Sequence, residues 1–228
     1  MTAANQAARF DCVIFDCDGV LVDSEPIVHR VLNRVLNELG IEITLEESMK
    51  WFLGRAVRDE LGNIEARLGK PLPRNFLSEW FVRRDAALIE ELEAVPHIRQ
   101  TIEAIKARGL PVCVASGADR IKVKLQLTHT DLLGLFVDPD DKREHIFSAT
   151  EVEHSKPAPD VYLLAARTMG VEPSRCAVVE DSPTGATAGV AAGMTVFGYA
   201  ARTDADELRA VGVKSIFTDM RDLPELIA

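Results

Sequence analysis

The feature that most limits how this 228-residue chain can fold is a series of short, nearly unbroken apolar runs. They are Cys12–Phe15, Pro111–Ala115, Ile146–Ser148, Cys176–Glu180, Thr195–Gly198 and Ser215–Thr218. A strand with one wet face alternates apolar and polar residues, so runs that do not alternate belong in a sheet covered on both faces. Helical patterns separate them. Thr101–Arg108 is closed by Gly109, Val161–Met169 is closed by Gly170, and Pro183–Ala192 is rich in the small residues that pack closely on a sheet. Strand–helix alternation of this kind predicts an α/β fold, a parallel sheet with helices on both faces.

One stretch breaks the alternation. Between Ser24 and Glu93, roughly 70 residues carry only helical pattern. Ser24 is predicted to cap a first helix, Pro26 suits its first turn, and Val28, Val31, Leu32, Val35, Leu36 and Leu39 form a stripe that Gly40 ends. Leu45–Phe52, Ala56–Leu68 and Pro73–Leu92 follow as further helices. The expected organisation is a discontinuous α/β core, residues 1–22 and 93–228, carrying an inserted all-helical cap domain, residues 23–92. Within the cap, Trp51, Trp80 and Phe81 are expected in its core, and His29 is expected to be an exposed structural histidine.

Charge removes several classes of function. Twenty-six basic and 36 acidic residues give a net charge of −10, with no basic stripe, so neither nucleic acid nor an anionic membrane surface is an expected partner. No apolar run approaches the ~18 residues a membrane span needs, and Met1–Arg9 does not read as a signal peptide. The four cysteines, Cys12, Cys17, Cys113 and Cys176, form no C-x-x-C pair and read as buried free thiols of a cytoplasmic protein. Cys17 stands between two aspartates, which disfavour a thiolate, so it is not a nucleophile. A monomer or weak homodimer is expected.

The chemistry gathers where the apolar runs stop. Asp16 and Asp18 follow the first run, and two close carboxylates repel unless a cation or a proton intervenes. Alone, this pair also reads as a solvated turn. Ser116 and Gly117 end the second run, Lys156 precedes a proline-opened helix, and Glu180 and Asp181 end a fourth. Singly these read as an N-cap serine, a solvated lysine and a surface acidic pair. Together, at strand ends of one parallel sheet, they converge on one edge, where α/β proteins bind ligands. Asp16, Asp181 and also Glu180 offer hard oxygens suited to Mg²⁺, while Ser116, the Gly117 N–H and Lys156 offer donors to phosphoryl oxygens. That combination describes phosphoryl transfer.

The segments Asp16-x-Asp18-Gly19-Val20, Ser116, Lys156-Pro157 and Glu180-Asp181-Ser182 resemble, in order, the four signature motifs of the haloacid dehalogenase-like superfamily. The resemblance runs from Phe10 to about Ile227. The helical insertion is similar to that family's C1-type cap on a Rossmann-like core. Phe15 to Pro26 is closest to its β-phosphoglucomutase-like and sugar-phosphate phosphatase branch. Asp18 sets the chain apart from dehalogenases and phosphonoacetaldehyde hydrolases, which lack that second aspartate. Gly117-Ala118-Asp119 departs from the small hydroxylated residues many relatives carry after the serine.

What the resemblance implies is a Mg²⁺-dependent phosphatase acting on a small phosphorylated metabolite, a sugar phosphate or phosphorylated sugar acid. Asp16 would be the nucleophile that forms an aspartyl-phosphate, and Asp18 the general acid and then base. Asp16 and Asp181 would hold Mg²⁺ by side chain and Asp18 by its carbonyl, with Glu180 beside or behind the ion. Ser116, Gly117 and Lys156 would hold the phosphoryl group. Phe52-Leu53-Gly54-Arg55 resembles the family's specificity loop, and Arg55 is its candidate substrate contact. A β-phosphoglucomutase would use the same aspartates. A receiver-like phospho-acceptor module would lack the cap and would place its phosphorylated aspartate two strands later.

Overall fold

The structure, a computed structural model, describes residues 9–52 and 57–228. Six strands, β1 (Cys12–Phe15), β2 (Val112–Ser116), β3 (Ile146–Ser148), β4 (Cys176–Glu180), β5 (Thr195–Tyr199) and β6 (Ser215–Phe217), make one sheet in the order β3-β2-β1-β4-β5-β6. Every pairing is parallel, and β1 sits between β2 and β4, with Val13 in register with both Val112 and Ala177. The apolar runs thus become strands within a residue or two of their expected bounds. Pro111 drops out of β2 because it has no N–H, although its carbonyl still accepts from Val13 N at 3.0 Å.

Between β1 and β2 the chain forms α1 (Glu25–Leu39), α2 (Leu45–Phe52), α3 (Leu61–Leu68) and α4 (Phe76–Glu91). These helices pack around an apolar cluster of their own that includes Leu32, Leu36, Phe52, Ile64, Phe76 and Trp80, with Trp51 and Phe81 partly buried against it. Four details differ from expectation. Val57–Glu60 is a 3-10 turn ahead of α3 rather than helix continuous with it, and α4 begins at Phe76, not Pro73. Ser24 does not cap α1, because its backbone is already helical and its hydroxyl donates to Asp18 instead. His29 is buried rather than exposed, since Glu25 one turn earlier offers a carboxylate oxygen 2.8 Å from its Nε2.

The chain leaves and re-enters the sheet region at one place. Val22 bridges Ala94, Asp23 N donates to Glu93 O at 3.0 Å, and Val95 N donates to Leu21 O at 3.0 Å. Arg202, beyond β5, closes over this crossing with an ion pair to Asp23.

α5 (Ile98–Ala107) leads into β2, and α6 (Arg120–His129), α7 (Asp160–Met169), α8 (Pro183–Ala191), α9 (Ala205–Ala210) and α10 (Leu223–Leu226) follow it. Side chains of a strand alternate between faces, and the two faces bury different helices. Val13, Phe15, Val114 and Val179 pack with α5, α6 and α10, whereas Ile14, Cys113, Ala115 and Val178 pack with α7, α8 and α9. The four cysteines are free and buried. No helix among the described residues is long and apolar enough to cross a membrane.

Candidate active site

Because β1 lies between β2 and β4, the chain runs to one side of it after β1 and returns to the other side after β3. The crevice at such a reversal opens at the carboxyl ends of the strands. Asp16 stands there as the first residue past β1, its N–H donating to Val179 O at 3.0 Å. The turn that follows needs Gly19, whose φ is +79° and where a Cβ would lie 1.9 Å from Asp181 Oδ2.

Lys156 ties three strand ends together. Its ammonium donates to Asp16 Oδ1 at 2.7 Å, Glu180 Oε1 at 2.6 Å and the Ala115 carbonyl at 3.0 Å, which uses all three of its hydrogens. The ammonium also lies 4.7 Å from the centre of the Tyr162 ring. Burial alone would lower its pKa, but Asp16 and Glu180 outweigh burial and hold it well above the usual lysine value. Glu180 is fully buried and filled. Its Oε1 accepts from Lys156 and, at 2.7 Å, from Tyr162 Oη, while Oε2 accepts from the Ser182 hydroxyl and from Asp181 N and Ser182 N. Gly185 in α8 lets the helix approach this carboxylate, since a Cβ there would be 1.7 Å from Oε1.

Asp16, Glu180 and Asp181 bring carboxylate oxygens within 4.8 Å of one another. Burial, then the neighbouring Glu180 and Asp18 charges, push Asp16 up to about 7 against the pull of Lys156. Burial and the Glu180 and Asp16 charges push Asp181 well above the ordinary carboxylate range. Asp18 goes the other way. Burial would raise it, but the Lys122 ammonium and hydrogen bonds from Lys122, Ser24 and Gln126 outweigh burial and hold it down at about 2.

The donor set fits a divalent cation. Four carboxylates, Asp16, Asp18, Glu180 and Asp181, face two ammoniums, Lys122 and Lys156. The shortfall is two positive charges, and the carboxyls left uncompensated are oxygen donors of the kind Mg²⁺ prefers. Glu180 has five donors of its own, which leaves Asp16 and Asp181 as the side chains with oxygens to offer.

Ser116, the last residue of β2, is buried, and its Oγ accepts from Ala118 N at 3.1 Å. In the neighbouring strand Ser148 fixes the same turn by donating to Ala118 O at 2.6 Å. Gly117 is exposed and faces open space, so its backbone can be approached closely. The structure therefore brings Asp16, Asp18, Ser116, Gly117, Lys156, Glu180 and Asp181 to one edge of the sheet. Arg55 lies outside the described residues.

Sequence reasoning passed over Lys122, Gln126 and Tyr162. Tyr162 was hidden in an apolar helix pattern, and nothing local marks it as a partner of Glu180. Lys122 and Gln126 lie more than one hundred residues from Asp18 and read as ordinary polar helix positions.

Comparison with known proteins agrees with this geometry. Residues 10–193 match the family model of haloacid dehalogenase-like hydrolases. The chain is 33% identical over 221 residues to the 6-phosphogluconate phosphatase of Escherichia coli K12, covering 96% of this chain and 95% of that one. It is 33% identical over 183 residues to hexitol phosphatase B of the same organism, 79% of each chain. Among solved structures it superposes with TM-score 0.75 and 34% identity on a haloacid dehalogenase family hydrolase from Deinococcus radiodurans R1 with bound phosphate and sodium, over 95% of this chain and 94% of that one. Four motifs gathered at one sheet edge, the family model over most of the chain and a relative matched nearly end to end agree: this chain belongs to the haloacid dehalogenase-like hydrolase family and is one of its phosphatases.

Proposed function

We propose that the protein is a Mg²⁺-dependent phosphatase that hydrolyses a small phosphorylated metabolite, a sugar phosphate or phosphorylated sugar acid, through an aspartyl-phosphate on Asp16. The observation that carries this reading is the Asp16–Lys156–Glu180 ion triad beside Asp181. One aspartate oxygen is held by the ammonium, and the surrounding charge stays short of balance.

In this reading Asp16 Oδ2, the oxygen that Lys156 does not hold, attacks phosphorus. The positive charge of Lys156 offsets that of the phosphoryl oxygens, the Gly117 N–H donates to them, and Ser116 donates its hydroxyl to them. Asp18, ionised at rest, passes a proton from solvent to the departing alcohol and then takes one from the water that hydrolyses the phospho-enzyme. Glu180 keeps Lys156 in place. Asp16, Asp181 and the Asp18 carbonyl would hold the cation, whose contribution when bound is to neutralise charge between Asp16 and the phosphate. The relatives' substrates, 6-phosphogluconate and hexitol phosphates by their names, support an open-chain polyhydroxy phosphate, and a Deinococcus relative that binds phosphate and sodium is in keeping with an anion and a cation as ligands.

The proposal also takes residues 1–22 and 93–228 as the catalytic core and 23–92 as a cap, supported by the separate apolar cluster of α1 to α4. Four free, buried thiols support a cytoplasmic setting.

The test is colorimetric phosphate release from a panel of phosphorylated sugars and sugar acids, with and without Mg²⁺. Asp16→Asn should abolish release while the circular dichroism spectrum stays that of the parent. Residual release within about tenfold of the parent, less than the usual loss of a nucleophile, removes Asp16 from that role. A mutase would convert its substrate while releasing little phosphate.

A further inference from the structure

The carboxylate of Asp18 is more completely held than any role inferred from its motif requires. Lys122 Nζ spans both oxygens, 2.8 Å from Oδ1 and 2.9 Å from Oδ2. Gln126 Nε2 donates to Oδ1 at 2.7 Å, and the Ser24 hydroxyl donates to Oδ1 as well. Lys122 and Gln126 are one turn apart on the same side of α6, and both are buried. Their neighbours Val123 and Leu127 belong to the apolar cluster of the sheet face. An ammonium and an amide placed there cost stability that apolar side chains of the same size would not.

The amide has no freedom to turn. Its Oε1 takes the thiol of Cys17, Sγ 3.5 Å away, so its NH₂ is committed to Asp18. Cys17, set between the two aspartates of the first motif, thereby gains a part without being reactive. The two carboxylate oxygens of Asp18 are left unequal. Oδ1 takes three donors, whereas Oδ2 takes one and keeps an open acceptor direction.

Resting on the acid–base reading of Asp18, we propose that Lys122 and Gln126 are positioning residues that fix the plane of its carboxyl group and leave Oδ2 as the oxygen that exchanges the proton. In the first half-reaction the bond from Asp16 to phosphorus forms, the bond from phosphorus to the leaving oxygen breaks, and a proton borrowed from solvent passes by way of Asp18 Oδ2, ionised at rest, to that oxygen. In the second, water oxygen bonds to phosphorus, the Asp16–phosphorus bond breaks, and one water proton returns to Oδ2. One water is consumed and no other reactant is needed. Gln126 is neutral, so its effect is one of geometry and separates positioning from a general effect of charge.

The experiment uses Lys122→Met, Gln126→Leu and the conservative Lys122→Arg in the full chain, with p-nitrophenyl phosphate and Mg²⁺. Phospho-enzyme is trapped by rapid acid quench in the steady state. That leaving group needs little protonation, so loss of Asp18 geometry falls on breakdown of the phospho-enzyme. General acid–base groups contribute about 10²–10⁴-fold, and a mispositioned group forfeits part of that. We expect kcat to fall roughly 10- to 100-fold in Lys122→Met and roughly 3- to 10-fold in Gln126→Leu, with KM falling in step and trapped phospho-enzyme rising. Lys122→Arg should recover most of the loss.

Parent kcat in both disruptive variants overturns the proposal, and so does a loss of kcat without accumulation of phospho-enzyme. If Lys122→Met does not fold, Gln126→Leu decides on the same two readouts. Asp18→Asn keeps the levels of inference apart. Parent turnover in that variant overturns the acid–base reading itself. An inactive Asp18→Asn beside unaffected Lys122 and Gln126 variants overturns only the positioning.

Discussion

Replacing Lys156 by methionine keeps the length of the side chain and removes the one charge that bridges Asp16, Glu180 and the Ala115 carbonyl. All three partners are buried, so water cannot take over from the ammonium. Breaking a buried ion network by deleting one partner typically costs about 3–5 kcal/mol. For a chain of this length about 1 kcal/mol moves the melting temperature by roughly 2–4 °C, so the expected fall is roughly 6–20 °C. The loss should also depend on pH. Asp16 already carries a pKa of about 7 in the folded parent, above the unfolded value of 3.8, so folding takes up a proton there and stability declines as pH rises through that window. Without Lys156 the folded value climbs further. The gap between variant and parent should therefore be narrowest in mildly acid solution, where Asp16 is protonated in both proteins, and widest well above pH 7. Thermal unfolding followed by circular dichroism in EDTA, across a pH series, measures this directly, and Mg²⁺ should narrow the gap at alkaline pH. A variant that melts within about 2 °C of the parent at alkaline pH refutes the buried-triad argument. A large loss that is flat in pH would assign the effect to packing rather than charge.

Excess EDTA should abolish phosphate release and Mg²⁺ should restore it; full activity after exhaustive chelation would remove the cation from the reading. Binding of Mg²⁺ to the stripped protein near neutral pH should release protons, because Asp16 and Asp181 are both pushed upward in its absence. Calorimetry in two buffers of different ionisation heat counts them, and zero release would contradict those shifts. Gly185→Ala would set a Cβ 1.7 Å from Glu180 Oε1, so it should cost about 1–3 kcal/mol and lower kcat by displacing the carboxylate that holds Lys156. Gly62→Ala, in α3 with nothing within 4 Å of its Cβ position, should leave turnover unchanged and hold or gain about 0.5–1 kcal/mol; equal losses in both variants would show that packing at Gly185 is not special.

The strands were legible because burial on both faces writes itself into consecutive residues: β1 and β4 are apolar almost throughout, and each stops at the acidic residues that open the site. The motifs were legible for the same reason, since a carboxylate directly after such a run has few places to go. Helix faces were harder. In α7 apolarity alone does not mark the buried face: Leu163 is exposed, whereas Tyr162 is buried against Glu180. Ser24 carries a good N-cap side chain, yet the buried Asp18 carboxylate, six residues earlier, takes its hydroxyl. His29 departs from its expected exposure because its neighbours form the apolar stripe, while the contact that permits its burial is Glu25, one turn back. Lys122 and Gln126 were invisible for a plainer reason. Their partner Asp18 is distant in the chain, and no local pattern records a contact made only when β1 and β2 pair.

The crossing at Leu21–Asp23 and Glu93–Val95 also bears on how such a chain can vary. The outgoing and returning segments are hydrogen-bonded to each other, so the register of β1 against β2 is closed off before the intervening residues are reached. Lengthening a chain between two fixed points adds little entropic cost, about 0.6 kcal/mol for each doubling. Insertions or deletions within residues 40–73 therefore meet little resistance from the sheet, since Ser24, Ile27, Leu88 and Leu92, which touch the site or the sheet face, lie outside that stretch. New molecular selectivity can be tried out in that stretch, by evolution or by grafting, while the strand ends that hold Asp16, Lys156 and Asp181 stay where they are.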